Sequence, residues 1–237
     1  MGFVGNLIAA KQRLSVASED LGDGIVAIRL RSRWTAMLGM EVNAYVVGDL
    51  LIDTGFAHAR ELVLGMLDGR KISAVCCTHC HEDHTGNCRA VARRFGCDVF
   101  IHRAEARWSE GVGKLLPYRQ LFWGPPEPYD AVEMLPLVEG NGVRLKVVTT
   151  PGHSATHVSF FEPQSRTVFV GDLFIAAGAS AVMTQENPYA LVASLLKVAA
   201  LQRNACSMGT ASTSRTRLTS CWPRPTQWKR RPERHVA

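Results

Sequence analysis

Apolar positions along the chain follow two rhythms. Ile25 to Leu30 and Val42 to Val47 are short apolar runs, and Leu50 to Ile52 follows a Gly48-Asp49 turn. This predicts a hairpin-rich opening of strands, closed by Asp53-Thr54-Gly55. From His58 to Leu67 the spacing becomes helical, with Leu62, Val63 and Met66 on one face and Gly69 as the stop. Ile72-Ser73-Ala74-Val75-Cys76-Cys77 reads as a buried strand and Thr85 to Phe95 as a helix. A strand at Asp98 to Ile101 and a short helix near Ala104 to Trp108 follow. The second half predicts strands at 133–138, 143–149, 157–161 and 167–171. Asn187-Pro188 then opens a helix through Leu201, with Asn as cap and Pro at the first helical position. These patterns establish a mixed α/β chain with no solenoid repeat.

Residues 109–131 keep neither rhythm. Glycines and prolines punctuate a stretch carrying Tyr118, Phe122, Trp123 and Tyr129, which is long for a simple connector. It is either an aromatic lid facing substrate or a loop that folds its rings onto the domain surface. Trp123 and Tyr118 are the candidates for substrate contact.

Residues 78–87 carry the chemistry: Thr-His-Cys-His-Glu-Asp-His-Thr-Gly-Asn. His79, His81, Asp83 and His84 fall within six residues, between a strand and a helix. Three imidazoles and a carboxylate crowded together have little folding rationale without a cation. A divalent ion such as zinc, which takes His nitrogens and carboxylate oxygens, supplies one. The place also fits, because ligand sites in α/β folds lie beyond the carboxyl ends of strands.

The spacing His-x-His-x-Asp-His resembles the signature of the metallo-β-lactamase fold superfamily. Further parts of that pattern follow in order: Leu51-Ile52-Asp53-Thr54-Gly55 upstream, then Thr150-Pro151-Gly152-His153 and Val170-Gly171-Asp172 downstream. The resemblance implies a four-layer αββα sandwich with the site along one edge. It implies that His79, His81 and His153 hold one metal, that Asp83 and His84 hold a second, and that Asp172 bridges them. It gives Asp83 the catalytic role of orienting the attacking water and passing on a proton. Asp53 and His157 become supports, Cys80 a spacer, and Thr156 stands where Gly is usual. His58 and His102 read as ordinary histidines. The related di-iron redox enzymes carry Glu at the position of His81, so the resemblance favours zinc, one or two ions, with iron or manganese open.

Composition bounds the rest. The chain has 237 residues, 46% of them hydrophobic, and its mean hydropathy is near zero, as expected of a soluble domain. No apolar run is long enough for a membrane span, and the apolar start lacks the basic lead-in of a secretory signal. Seven cysteines, five of them crowded between Cys76 and Cys97, make no disulfide framework and point to a reducing cytoplasm. The net charge of +6 lies in the last 34 residues, where Arg215, Arg217, Arg224, Lys229, Arg230, Arg231 and Arg234 face Glu233 alone. Such a tail can bind nucleic acid, but apolar periodicity stops at Asn204. The reading is therefore a domain over 1–203, incomplete at its end, and a non-native or disordered basic tail over 204–237.

The resemblance also calls for one more His at the second metal, yet only His235 lies beyond Asp172. A change of reading frame accounts for both oddities. Shifted by two nucleotides, the codons of Met208-Gly209-Thr210-Ala211 give Gly, then one of Asn, His, Asp or Tyr, then one of Ser, Arg, Gly or Cys. The rival account is a genuine basic tail beside a reduced site. The expected function is a metallo-hydrolase that uses a metal-activated water on a small ester, thioester, lactone or lactam. The alternatives are a phosphodiesterase or ribonuclease, an iron-dependent persulfide dioxygenase, and an inactive metal-binding module.

Overall fold

The computed structural model describes residues 14–37, 40–106, 116–174, 186–207 and 217–219. Among these, two sheets form. The first has seven strands in sequence order: β1 (Ser15–Gly22), β2 (Ile25–Arg31), β3 (Val42–Val47), β4 (Leu50–Ile52), β5 (Ala74–Cys76), β6 (Asp98–Ile101) and β7 (Ala131–Glu133). Its first four strands pair antiparallel and its last three join in parallel. The second sheet runs β12-β11-β10-β9-β8, from β8 (Leu137–Glu139), β9 (Arg144–Thr149), β10 (Val158–Glu162), β11 (Thr167–Phe169) and β12 (Arg217–Thr219). Helices are α1 (Arg33–Met37), α2 (Arg60–Met66), α3 (Glu82–Thr85), α4 (Cys88–Phe95), α5 (Pro117–Trp123) and α6 (Pro188–Ser207).

Side-chain alternation explains the layering. In β2, Ile25 and Ala27 point to one face while Ile28 and Leu30 point to the other; in β3, Tyr45 and Val47 oppose Ala44 and Val46. The first set meets Val138, Leu145, Val158, Phe160 and Phe169 of the second sheet, forming a core between the sheets. The second set packs with Val63 and Leu67 beside α2 and with Val91 of α4. A third cluster joins Phe161, Val168 and Val170 to Val198 of α6. Helix, sheet, sheet and helix thus form the expected αββα sandwich.

Some expectations shift. The predicted helix over 85–95 divides into α3 and α4, because Gly86-Asn87 makes a turn between them. The polar strand β1 and the short α1 carry no clear periodicity and were not expected; β1 is mostly exposed. Asn187 caps α6 as read, its Oδ1 accepting from Tyr189 and Ala190 amides at 3.1 Å each. α6 continues past Leu201 to Ser207, and Arg217–Thr219 lies parallel beside β11. The rest of 204–237, His235 included, lies outside the described residues, as does Trp108. No described helix is long and apolar enough to cross a membrane.

Candidate metal centre

Every candidate ligand lies in a segment that follows a strand at one edge of the sandwich, Asp83 and His84 in the one-turn helix α3. The segment after β5 carries His79 to His84, the loop after β9 carries His153, and the turn after β11 carries Asp172. A backbone bond from Val158 N to Thr78 O, 2.9 Å, ties the two sheets together there.

Asp53, just past β4, organises the first loop. Its Oδ1 accepts from Thr78 N at 2.8 Å, and its Oδ2 accepts from Thr78 Oγ1 at 2.9 Å and His84 Nδ1 at 2.8 Å. Asp53 itself adopts φ 56°, a left-handed conformation that a short polar side chain tolerates better than most. Thr54 adds two bonds to His84 O, and Asn87 Nδ2 donates to Thr54 O and Phe56 O. Gly86 is required where it stands, since a Cβ there would lie 2.4 Å from Ala57 N. The loop is thus held by residues following β4 as well as by its own bonds, such as those from Thr85 Oγ1 to Cys80 O and His81 O.

These bonds also settle which imidazole nitrogens remain for a ligand. Thr78 Oγ1 donates to Asp53, so it accepts from His79 Nδ1 at 3.0 Å. His84 Nδ1 donates to Asp53, and His153 Nδ1 donates to Glu186 Oε1 at 2.6 Å. Nε2 of all three is left as a lone pair. His79 Nε2 lies 2.9 Å from His81 Nδ1, and His153 Nε2 lies 3.0 Å from the same atom. A single proton on His81 Nδ1 can serve only one of these two lone pairs at a time, whereas a cation among the three nitrogens would satisfy all of them. Their separation is near the roughly 3.3 Å ligand-to-ligand edge of a tetrahedral zinc site. Asp172 completes the set, with Oδ2 3.4 Å from His153 Nε2. Its Oδ1 lies 3.3 Å from His84 Nε2, which belongs to a second group with Asp83 Oδ2 3.8 Å away. Within each group the ligand atoms lie within 4.8 Å of one another. Among the described residues, the set therefore fits two adjacent divalent ions with Asp172 within reach of both groups, the second group with one protein ligand fewer.

The electrostatics agree. Burial pushes His79 well below its ordinary pKa, with His84 adding to the shift. Burial pushes His81 down to about 3, with His153 adding and Asp172 opposing. Both rings are unprotonated at neutral pH, as ligation requires. Burial alone would raise the Asp172 carboxyl, but His84, His153 and His81 outweigh it and hold Asp172 below the usual carboxylate range. Burial lifts Asp83 up to about 6, with His84 opposing and Asp172 and Glu82 adding.

Comparison with known proteins agrees with this geometry. The family model of the metallo-beta-lactamase superfamily matches residues 38–202. The chain belongs to that superfamily. A hydroxyacylglutathione hydrolase of Nitrosococcus oceani is 30% identical over 173 residues, 71% of this chain and 60% of that one. An atrochrysone carboxyl ACP thioesterase of Aspergillus fumigatus is 29% identical over 148 residues, 59% of this chain and 42% of that one. Among solved structures, TTHA1623 in a di-iron-bound form has a TM-score of 0.57 at 26% identity, covering 78% of this chain and 88% of that chain. The match spans little more than half the length of the first curated relatives, 54% to 60%.

The fold thus brings together His79, His81, Asp83, His84, His153 and Asp172 as two candidate ligand groups. His157 is fully buried behind them, with Nδ1 2.9 Å from Thr150 Oγ1 and its ring 5.2 Å from that of His79. Cys80 belongs to neither ligand group; its carbonyl accepts from Thr85 Oγ1. Thr156 donates to Glu105. His102 caps the turn at Ala104, and His58 is half-buried beside Gly124. Trp123 corrects an expectation. It is 8% exposed and packs on Phe56 with ring centroids 5.5 Å apart, so it is a core residue and not a substrate contact. Tyr118, on the same short helix, is 58% exposed. Sequence reasoning missed Glu186 and Arg119. Glu186 stands just before the α6 cap with no motif to mark it. Arg119 pairs through Nε and Nη2 with both oxygens of Glu82, which is buried between the ligands His81 and Asp83.

Proposed function

We propose that this protein is a metal-dependent hydrolase of thioesters, with ester, lactone and lactam carbonyls open to the same chemistry. The observation that carries the reading is the convergence of His79 Nε2 and His153 Nε2 on His81 Nδ1, at 2.9 and 3.0 Å, with Asp172 set between them and a second His/Asp group. The names of the relatives, a hydroxyacylglutathione hydrolase and an ACP thioesterase, support a thioester as the bond attacked.

In this reading His79, His81 and His153 would hold the first ion and Asp83 and His84 the second, with Asp172 within reach of both. Bound there, divalent ions would supply polarisation of the substrate carbonyl and activation of water near neutral pH. Asp83 orients the attacking water and passes its proton to the leaving group. Asp53, Thr78 and Glu186 hold the imidazoles so that their lone pairs face inward. Nitrogen-rich donors favour zinc at the first position; iron is the second metal reading, because a similar structure is described in a di-iron-bound form. Free thiols at Cys76, Cys77, Cys80, Cys88 and Cys97 support a reducing, cytoplasmic setting.

The test loads the protein with zinc and assays a panel of thioesters, lactones and phosphodiesters. Thioester turnover is expected to exceed the others and to vanish on chelation and in His81→Ala. His81→Ala is also expected to lose bound zinc. Equal metal content in wild type and His81→Ala overturns the ligand assignment. Phosphodiester turnover above that of every thioester overturns the substrate class.

A further inference from the structure

We propose that Glu186 is the positioning residue of His153, and that α6 is the frame through which it acts, so that metal capture and the seating of α6 are one linked event. This rests on the metal-site reading above. α6 and the residues leading into it hold the loop 149–153 at successive points. Lys197 Nζ donates to Thr149 O at 2.7 Å, and Ser194 Oγ donates to Pro151 O at 2.7 Å. Asn187 N donates to Gly152 O at 2.8 Å, and Glu186 Oε1 takes the His153 Nδ1 proton at 2.6 Å. Gly152, at φ 150°, lies flat on the helix, because a Cβ there would fall 2.5 Å from Leu191 Cα. Leu191, Leu195 and Val198 then bind α6 to the outer face of the second sheet.

The other two nitrogens of the first position come from a different body. His79 is tied through Thr78 to Asp53, on the end of β4, and His81 stands two residues along the same loop. The first position therefore spans two parts of the fold, and the His153 side of it is set by α6 and Glu186. A carboxylate behind a ligating imidazole fixes its orientation and strengthens its other nitrogen as a donor. An ion that binds all three nitrogens would cross-link the α6-clamped loop to the metal loop. By linkage, a ligand that favours the seated arrangement stabilises it.

The experiment measures zinc affinity by chelator competition in wild type, Glu186→Gln and Glu186→Ala, and hydrogen exchange of amides 191–198 with and without zinc. The expected loss is about 10- to 100-fold for Glu186→Ala. It is smaller for Glu186→Gln, whose amide oxygen still accepts from Nδ1. Zinc is expected to slow exchange in α6 of the wild type but not of Glu186→Ala. Circular dichroism of the metal-free variants separates this from misfolding; if Glu186→Ala does not fold, the isosteric Glu186→Gln carries the comparison. Wild-type affinity in a folded variant overturns the proposal, as does α6 exchange that zinc leaves unchanged in the wild type. A wild type that captures no zinc overturns the metal-site reading itself and this proposal with it.

Discussion

Asp53 serves the candidate site without facing a metal. One oxygen holds Thr78 N, and the other takes protons from both Thr78 Oγ1 and His84 Nδ1. Removing it frees the His84 ring to rotate or change tautomer and leaves a buried threonine hydroxyl and amide without their acceptor. Asp53→Ala is expected to weaken the second metal position, where Asp53 meets His84 directly, at least 10-fold, and the first position less, since His79 feels Asp53 only through Thr78. Site-resolved titration with cobalt(II), followed by absorption, checks this. Equal loss at both positions would show instead that the whole loop had come apart. At this scale the sequence was readable where ligands are close neighbours, as in His79 to His84. It was silent where partners are far apart, as with Glu186 and His153, 33 residues distant.

Short elements buttress the metal loop from outside. α5 sends Arg119 to Glu82, whose carboxylate is 3% exposed and lies between two ligands. Arg119→Ala strands that carboxylate in a buried place, which costs about 3 kcal/mol when a buried pair is broken on one side. Removing both charges, as Arg119→Ala with Glu82→Gln, is expected to recover most of that loss. Urea unfolding of the metal-free single and double variants tests it; additive losses would mean that the two residues do not interact. α5 also shows why the aromatic stretch was ambiguous. Proline and glycine marked residues 109–131 as irregular, and irregular aromatic stretches suggest exposure. Yet Trp123 is anchored on Phe56 while Tyr118 and Leu121 of the same helix are exposed. Which side of so short a helix is buried depends on its neighbours, not on its own composition.

At the scale of the molecule, the site is lopsided among the described residues. The first group offers three imidazoles and Asp172, the second Asp83, His84 and Asp172. Titration with zinc is therefore expected to show one tight ion and a second held at least 10-fold more weakly, since affinity follows ligand number and geometry; two equally tight ions would contradict this. The cause is open to a simple check. If a frame change near Met208 produced the basic end, the shifted codons must encode His beside Gly. A chain carrying the shifted-frame end should then bind the second ion more tightly and turn over thioester faster, while any other residue at that codon ends the argument. The sequence by itself determined the strand and helix rhythms, the mixed α/β class and the ligand types, because each depends on local spacing: two for strands, 3.6 for helices, and a short ligand-rich loop; the αββα layering came from the family resemblance and not from spacing. The tertiary structure alone decided which imidazole nitrogens face inward and that Glu186 backs His153. Those depend on hydrogen bonds between residues that only the packing of two sheets brings within reach of one another.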